Sequence, residues 1–181
     1  GVQTCALPIS VERWFSDVKA GPRPAPLSIP GVGLTDVQRR TIADAVQLPR
    51  LHLAWLTPPR LSPADAVLDV LADVLAGSKN SRLYKRLVYD LQIAQDVAAY
   101  QNSQALSSFF AVIATPRPGH TVEELQKIVD EEIATLQREG PTAHEVDRAI
   151  NQIEASFYSR MERVGGFGGK ADQLRSEEHH V

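Results

Sequence analysis

The residues whose types and spacing come nearest to a metal site are a histidine and the acidic residues that follow it. The segment from His120 to Glu124 reads His-Thr-Val-Glu-Glu. An inverted zinc-binding helix needs His-x-x-Glu-His, with both histidines on one helical face. Because Glu124 stands where the second histidine is required, the motif fails. We expect His120 to lie in a turn just before a helix cap.

The glycine-rich stretch Val164–Lys170 (VGGFGGK) invites comparison with a phosphate-binding loop. Such a loop begins with glycine, follows a strand, and has serine or threonine after its lysine. Here the first position is Val164, the residue after the lysine is Ala171, and a helical pattern precedes. The pattern predicts a flexible turn or hinge rather than a phosphate site.

The other polar candidates favour structural roles. His52 alternates with apolar residues in a strand, which is typical of a core or half-exposed histidine. His144 falls in the first turn of a helix, on a solvated face. Ser107 and Ser108 have no histidine or aspartate in a nucleophile setting. The residues alone therefore predict no catalytic, cofactor-binding or metal-binding site in this chain.

A short basic helix is predicted over Ser81–Asp90. It carries three basic residues and two tyrosines, which are Arg82, Lys85, Arg86, Tyr84 and Tyr89. Two interpretations remain: a solvent face with the tyrosines packed over its rim, or a contact surface for a peptide or partner. The first is favoured because charged helix faces are common.

Composition excludes several classes of protein. The chain has 181 residues and a formal net charge of -3, and no strongly basic face or run points to nucleic acid. No apolar run approaches the length of roughly 20 residues that spans a bilayer. The single cysteine, Cys5, cannot form an internal disulfide.

Helix and strand patterns alternate in pairs along the chain. Strands are predicted at Val37–Ala45, Leu51–Thr57, Ile93–Tyr100 and Ser108–Thr115. Both faces of Leu51–Thr57 are rather apolar, which is typical of an interior strand. Helices are predicted from Ser62 to Gly77, over Ser81–Asp90, and from capping boxes at Thr121 and Thr142. This order predicts an α+β fold in two layers, with an antiparallel sheet covered by helices on one face.

The two ends differ in character from the rest. Ala-Leu-Pro-Ile-Ser and Arg-Ser-Glu-Glu-His can be encoded by a common sequencing adapter and its reverse complement. We therefore expect residues 1–10 and 175–181 to be translated adapter, so that Cys5, His179 and His180 carry no functional information and the reading frame is cut at both sides. Unrelated codons at these positions in the DNA would disprove this.

Several segments, in order, resemble pitrilysin/insulinase-type zinc metallopeptidases. The most specific runs from Leu71 to Gln101, a helix followed by Gly-Ser-Lys-Asn-Ser-Arg-Leu, Tyr-Lys-Arg-Leu-Val and a strand. VERWFSDVKAGPRP resembles the end of the family's catalytic unit and its exit linker. Further pieces that agree are VQLPRLHLAW, EGPT and ERVGGFGGKA. On this basis residues 11–30 would end a catalytic unit, and residues 31–174 would form its non-catalytic companion domain, similar to the mitochondrial-processing-peptidase/insulinase unit.

The resemblance implies that the preceding unit of the same chain carries the zinc, the His-x-x-Glu-His motif and the general-base glutamate. The companion domain would help to enclose and position a peptide substrate. Many members hold the substrate backbone with an arginine and a tyrosine in a later unit. The equivalent positions here are Val88 and Gln95, neither of which can do that, so no substrate-binding residue is transferred to this chain.

Two alternatives stay open from the sequence. One is a catalytically inactive structural or assembly subunit of the same family. The other is a plain α+β interaction domain with no link to peptidases. The compartment is also open, and a bacterial cell envelope is compatible with the resemblance.

Overall fold

The structure is a computed structural model that describes residues 10–19, 21–22, 24–25, 33–162 and 170. The chain forms two compact units, Gly1–Pro30 and Gly31–Val181. In the first unit, helix α1 spans residues 10–15. Its large apolar side chains Trp14 and Phe15 are exposed. The predicted glycine-rich turn lies outside the described residues, apart from Lys170.

The second unit is organised around an antiparallel sheet of three strands. They are β1 (Leu51–Thr57), β2 (Ala94–Asn102) and β3 (Ser108–Pro116), in the spatial order β1-β3-β2. β3 is the central strand and the most β-prone run in the sequence, and it is buried along most of its length. The predicted antiparallel pairing of β2 with β3 is confirmed.

Four helical segments complete this unit. They are α2 (Pro63–Ala76), a π-helix (Tyr84–Asp90), α3 (Val122–Glu139) and α4 (Ala143–Met161). The apolar stripes of α2, the π-helix and α3 meet one face of the sheet in a single core, whose largest members include Leu75, Leu83, Leu87, Val97, Phe110, Val112, Leu125 and Val129. α4 packs against α2 and buries Ala149. The predicted α+β class is thus confirmed. No helix in the described ranges is both long and apolar enough to cross a bilayer.

α2 begins and ends where its sequence predicts. Ser62 occupies the N-cap in an extended conformation, and Pro63 takes the first helical position, where a missing N–H costs nothing. The Gly77 N–H donates to the Asp73 carbonyl at 3.0 Å. Gly77 has a φ of -73°, so left-handed backbone is not the reason for glycine. A Cβ there would lie 2.7 Å from the backbone Cα of Asp73, and this close approach explains the residue.

Both predicted capping boxes are present. At the start of α3, Glu124 N–H donates to Thr121 Oγ1 at 3.2 Å, and Thr121 N–H donates to Glu124 Oε2 at 3.0 Å. Thr142 and Glu145 repeat the arrangement at the start of α4. Each box satisfies amide groups that would otherwise lack partners in the first helical turn.

Replacing Thr121 with alanine is expected to lower the free energy of unfolding by about 1 kcal/mol, because the Glu124 amide loses its acceptor. Urea denaturation followed by circular dichroism measures this change. Thr121→Ser is the matched control, since it keeps the hydroxyl. If the alanine and serine variants are equally stable, the cap does not contribute to stability.

One predicted strand is absent, and another lies at a different place in the sheet than predicted. Residues 37–45 are irregular and exposed, and Val37 and Ile42 are 80% and 86% accessible. No described strand pairs with this segment, and apolar β-prone residues alone do not make a strand without a hydrogen-bonding neighbour. Leu51–Thr57 has the predicted bounds, but β1 is an edge strand of the described sheet rather than an interior one.

Candidate functional site

The histidines singled out by the sequence lie in structural settings. His120 precedes α3, and its Nδ1 lies 3.2 Å from Glu124 Oε2, the carboxylate of the capping box. His52 is exposed on β1, and His144 is exposed in the first turn of α4. Within the part of the chain that the structure describes, no group of three or more histidine, cysteine or acidic residues could hold a metal ion. These residues do not fit a zinc site.

The basic residues of the short helix form an ion-pair brace, which means that they hold this helix against its neighbours α3 and α4 through ion pairs. Arg82 forms a bidentate ion pair with Glu145 at the start of α4, with Nε–Oε1 and Nη2–Oε2 distances of 2.6 and 2.7 Å. Both side chains are only 16% accessible. Arg82 Nη2 also donates to the Gly140 carbonyl at 3.3 Å. The short helix is thereby fastened to the junction between α3 and α4.

Arg86 fastens the same helix to the middle of α3. Its Nη1 donates to Glu132 Oε1 and its Nη2 donates to Glu131 Oε2, each at 2.6 Å. Arg82 and Arg86 therefore do not form the simple solvent face that the sequence favoured. Tyr84 packs against the core, whereas Tyr89 is exposed, so only one of the two tyrosines packs as expected.

The ion pair shifts the pKa values of Glu145 and Arg82. The hydrogen bonds from Arg82 lower the pKa of Glu145 to about 2, and those from the Thr142 amide and hydroxyl act in the same direction. The same Glu145 interaction raises the pKa of Arg82. A permanently charged, doubly bonded pair is suited to holding structure, because neither group is free to exchange a proton near neutral pH.

Sequence reasoning missed a buried polar cluster around Asp65 at one end of the sheet. Asp65 accepts hydrogen bonds from Ser103 Oγ at 2.6 Å, from Leu61 N–H at 3.1 Å, and from Gln101 Nε2 at 3.2 Å. The Ser103 hydroxyl is the main group that holds the pKa of Asp65 below its usual value. Gln101 also bonds to Thr57. The cluster therefore ties the ends of β1 and β2 to the start of α2.

Only one part of this cluster had a signal in the sequence. An aspartate in a first helical turn is expected for its charge alone, which accounts for Asp65. Ser103 and Gln101 are distant in sequence and carry no motif. Ser108 is likewise structural: its buried hydroxyl bonds to the amide and the carbonyl of Gln104.

Comparison with known proteins agrees with this picture of a structural domain. The family described as "Peptidase M16 inactive domain" matches residues 10–153. The chain belongs to this family. The predicted resemblance to a non-catalytic unit of zinc metallopeptidases is thereby confirmed.

Relatives of this M16 inactive domain are named as proteases. An "Uncharacterized zinc protease YmxG" of Bacillus subtilis (strain 168) is 26% identical over 152 residues, which is 84% of this chain and 36% of the relative. A solved "protease from Helicobacter pylori" is 26% identical with a TM-score of 0.61, covering 65% of this chain and 29% of that one. The chain thus spans about a third of these relatives' length.

The fold of a further solved structure agrees as well. A solved "peptidase M16 inactive domain from Pseudomonas fluorescens" has a TM-score of 0.55 at 23% identity, covering 59% of this chain and 26% of that one. This likeness concerns the fold alone. It supports the α+β architecture described above.

Val88 and Gln95 are the two positions of the M16 domain that the resemblance aligns with substrate-holding residues of the wider family. Val88 is half-buried and packs against the hydrophobic core. Gln95 is exposed, at the irregularity of β2 between Ala94 and Asp96. The side chain of Val88 has no hydrogen-bond donor to replace the arginine, and Gln95 lacks the phenol of the tyrosine.

Proposed function

We propose that this M16 inactive domain is the non-catalytic companion of a zinc metallopeptidase unit in the same polypeptide. It would help to enclose a peptide substrate and to position it while the other unit hydrolyses the peptide bond. The observation that carries this proposal is the family match over residues 10–153. The zinc protease name of a longer relative supports it.

Zinc and its ligands would belong to the preceding unit. The described residues of this chain offer no group of ligands for a metal. A catalytic zinc ion supplies an activated water and polarises the carbonyl that is attacked. This domain would contribute no group to that step.

The contribution of this domain would instead be shape and rigidity. Its sheet shares one core with α2, the π-helix and α3, and Arg82 and Arg86 brace the π-helix against α3 and α4. A wall of a substrate chamber must keep its geometry while peptides enter and leave, since small misplacements are costly to catalysis. Ion pairs and a packed hydrophobic core both help a domain to keep its geometry.

The second candidate is an inactive structural or assembly subunit of the same family. Val88 and Gln95 are as compatible with it as with the peptidase companion, because many members carry the peptide-holding pair in a later unit. The two candidates differ in the preceding unit. A His-x-x-Glu-His motif in the complete reading frame supports the peptidase companion, and its absence supports the structural subunit.

The decisive experiment uses the complete reading frame and a quenched fluorescent peptide library. We expect the full protein to bind zinc and cleave peptides, and a form lacking residues 31–174 to keep its zinc but to lose cleavage. Retained zinc shows that the catalytic unit is still folded. Full cleavage without residues 31–174 would contradict the companion role.

A separate prediction concerns the chain of 181 residues by itself. We expect it to retain no zinc after dialysis and to hydrolyse no peptide, because its described residues hold no metal-binding group. Zinc content measured by mass spectrometry and the same peptide assay check this. Zinc-dependent hydrolysis by this chain alone would overturn the assignment.

A further inference from the structure

The π-helix is wound more widely than an α-helix. The Leu91 N–H donates to the Arg86 carbonyl, five residues back, at 3.0 Å, whereas an α-helix joins residues four apart. π-helices are rare and are mostly limited to a single turn, yet this one spans Tyr84–Asp90. A π-helix of this length therefore calls for a physical cause.

The leucines of this segment are spaced for an α-helix. Leu83, Leu87 and Leu91 recur every four residues, and this spacing would place all three on the core face of an α-helix. Leu83 and Leu87 are fully buried, but Leu91 is 46% accessible. The five-residue hydrogen bond takes Leu91 off the line of the other two. The apolar spacing and the observed winding therefore disagree at Leu91, and such a local conflict marks a segment with a competing conformation.

The charges of the segment also have an α-helical alternative. Asp90 comes four residues after Arg86, the spacing at which opposite charges meet on the surface of an α-helix. In the observed winding Asp90 is exposed. Arg86 instead bonds to Glu131 and Glu132 on α3, each at 2.6 Å. Arg86 thus has one set of partners for each winding, and its partners on α3 favour the π form.

Backbone strain and a register irregularity follow the π-helix directly. Gln92 has a φ of 55°, a left-handed conformation that is uncommon for residues other than glycine. Such strain persists only where the surrounding structure imposes it, and it clusters at switch regions. Two residues later, β2 has its irregularity between Ala94 and Asp96, where a strand accommodates an extra residue. A change of winding can therefore be absorbed before the regularly paired part of β2.

We propose that residues 84–91 form a switch with two windings. The segment is π-helical while Arg86 is paired with Glu131 and Glu132 of α3. When those pairs are lost it becomes α-helical, and Leu91 moves to the core face. The switch links α3 to the start of β2, and it does not depend on the peptidase role.

Removing the charges of α3 that hold Arg86 tests the switch. The variant Glu131→Gln/Glu132→Gln loses both carboxylates but keeps the size of the side chains. The control Glu123→Gln/Asp130→Asn removes the same charge from α3 at positions that do not bond to Arg86. Circular dichroism checks that each variant is folded. Glu131→Gln alone, at a side chain that is 42% accessible, is the milder form of the same test.

Scalar couplings across hydrogen bonds, measured by NMR on the chain of 181 residues, report the winding directly. They show whether the Leu91 N–H is bonded to the carbonyl of Arg86 or to that of Leu87. We expect the wild type and the control to show the Arg86 bond. The ratio of the α form to the π form should rise about tenfold in the double glutamine variant, as expected for the loss of two partly exposed ion pairs, so that the Leu87 bond becomes detectable.

A further substitution checks the direction of the change. Leu91→Ala, added to the double glutamine variant, should restore the Arg86 bond, because the α form then loses the side chain that it would bury. An Arg86 bond that is unchanged in the double glutamine variant would overturn the proposal. The loss of both hydrogen bonds with faster exchange of the Leu91 amide would also overturn it, since Arg86 would then hold the segment in place without selecting its winding.

Discussion

Replacing Leu87 with alanine is expected to lower the free energy of unfolding by about 2–5 kcal/mol, the range for a large residue removed from a core. Leu87 has no accessible surface. It lies in the π-helix and belongs to the core cluster that joins the helices to the sheet. The loss combines the transfer of a buried side chain with a cavity that rigid neighbours cannot close.

Tyr89 provides the matched control for this prediction. It lies in the same helix and is 73% accessible, so Tyr89→Ala should change stability by less than about 0.5 kcal/mol. Chemical denaturation with one probe for secondary structure and one for tryptophan fluorescence measures both variants. Equal stability of the two variants would show that the π-helix is not part of the core as described.

Glu145→Gln is expected to cost about 1.5–3 kcal/mol, the range for a hydrogen bond to a charged group. Glutamine is nearly isosteric and is accepted at this position of a capping box, so the change mainly removes the negative charge. Arg82 would then keep its half-buried positive charge without a carboxylate partner. A double-mutant cycle with Arg82→Ala measures the coupling between the two side chains.

The Arg138–Glu139 pair is the control for the Arg82–Glu145 pair. Its Nη2–Oε1 distance is 2.8 Å, but its side chains are 66% and 59% accessible. Water and salt screen such a pair, so Glu139→Gln should have almost no effect on stability. If the two glutamine variants are equally stable, burial does not strengthen the Arg82–Glu145 interaction.

The contribution of Glu145 should depend on pH in a defined direction. Its pKa is about 2 in the folded chain, against about 4.3 for an unfolded glutamate. A carboxylate with a lowered folded pKa stabilises the fold fully above its unfolded pKa, and this contribution is lost as the pH falls through the folded pKa. The difference in unfolding free energy between wild type and Glu145→Gln should therefore shrink from about pH 4.5 towards pH 2. A difference that stays constant over this range would contradict the lowered pKa.

Local sequence signals located most of the elements. Each of these signals acts on residues close to it in the sequence. Examples are the capping boxes at Thr121 and Thr142, Pro63 after Ser62, and the β-prone run of β3. The helix starts and the central strand were predictable because they depend on local hydrogen bonds and backbone preferences. The order of segments from Leu71 to Gln101 was also enough to place the chain in its family.

Contacts between distant residues were not predictable in this way. The partner of Arg82 is Glu145, and the partners of Asp65 include Ser103 and Gln101. A charged residue on a helix looks the same in sequence whether it meets solvent or an opposite charge. Only the packing of the π-helix against α3 and α4 turns a basic surface into a brace.

The sequence by itself determined the α+β class, the helix boundaries, the family resemblance, and the failure of the zinc and phosphate motifs. These follow from periodicity, capping and motif spacing, all of which are properties of the chain order. Tertiary structure alone decided that residues 37–45 are not a strand, that β1 lies at an edge, and that Arg82 and Glu145 form a shielded pair. The physical reason is that strand identity and charge pairing require a second segment, and the position of that segment is set only when the chain packs.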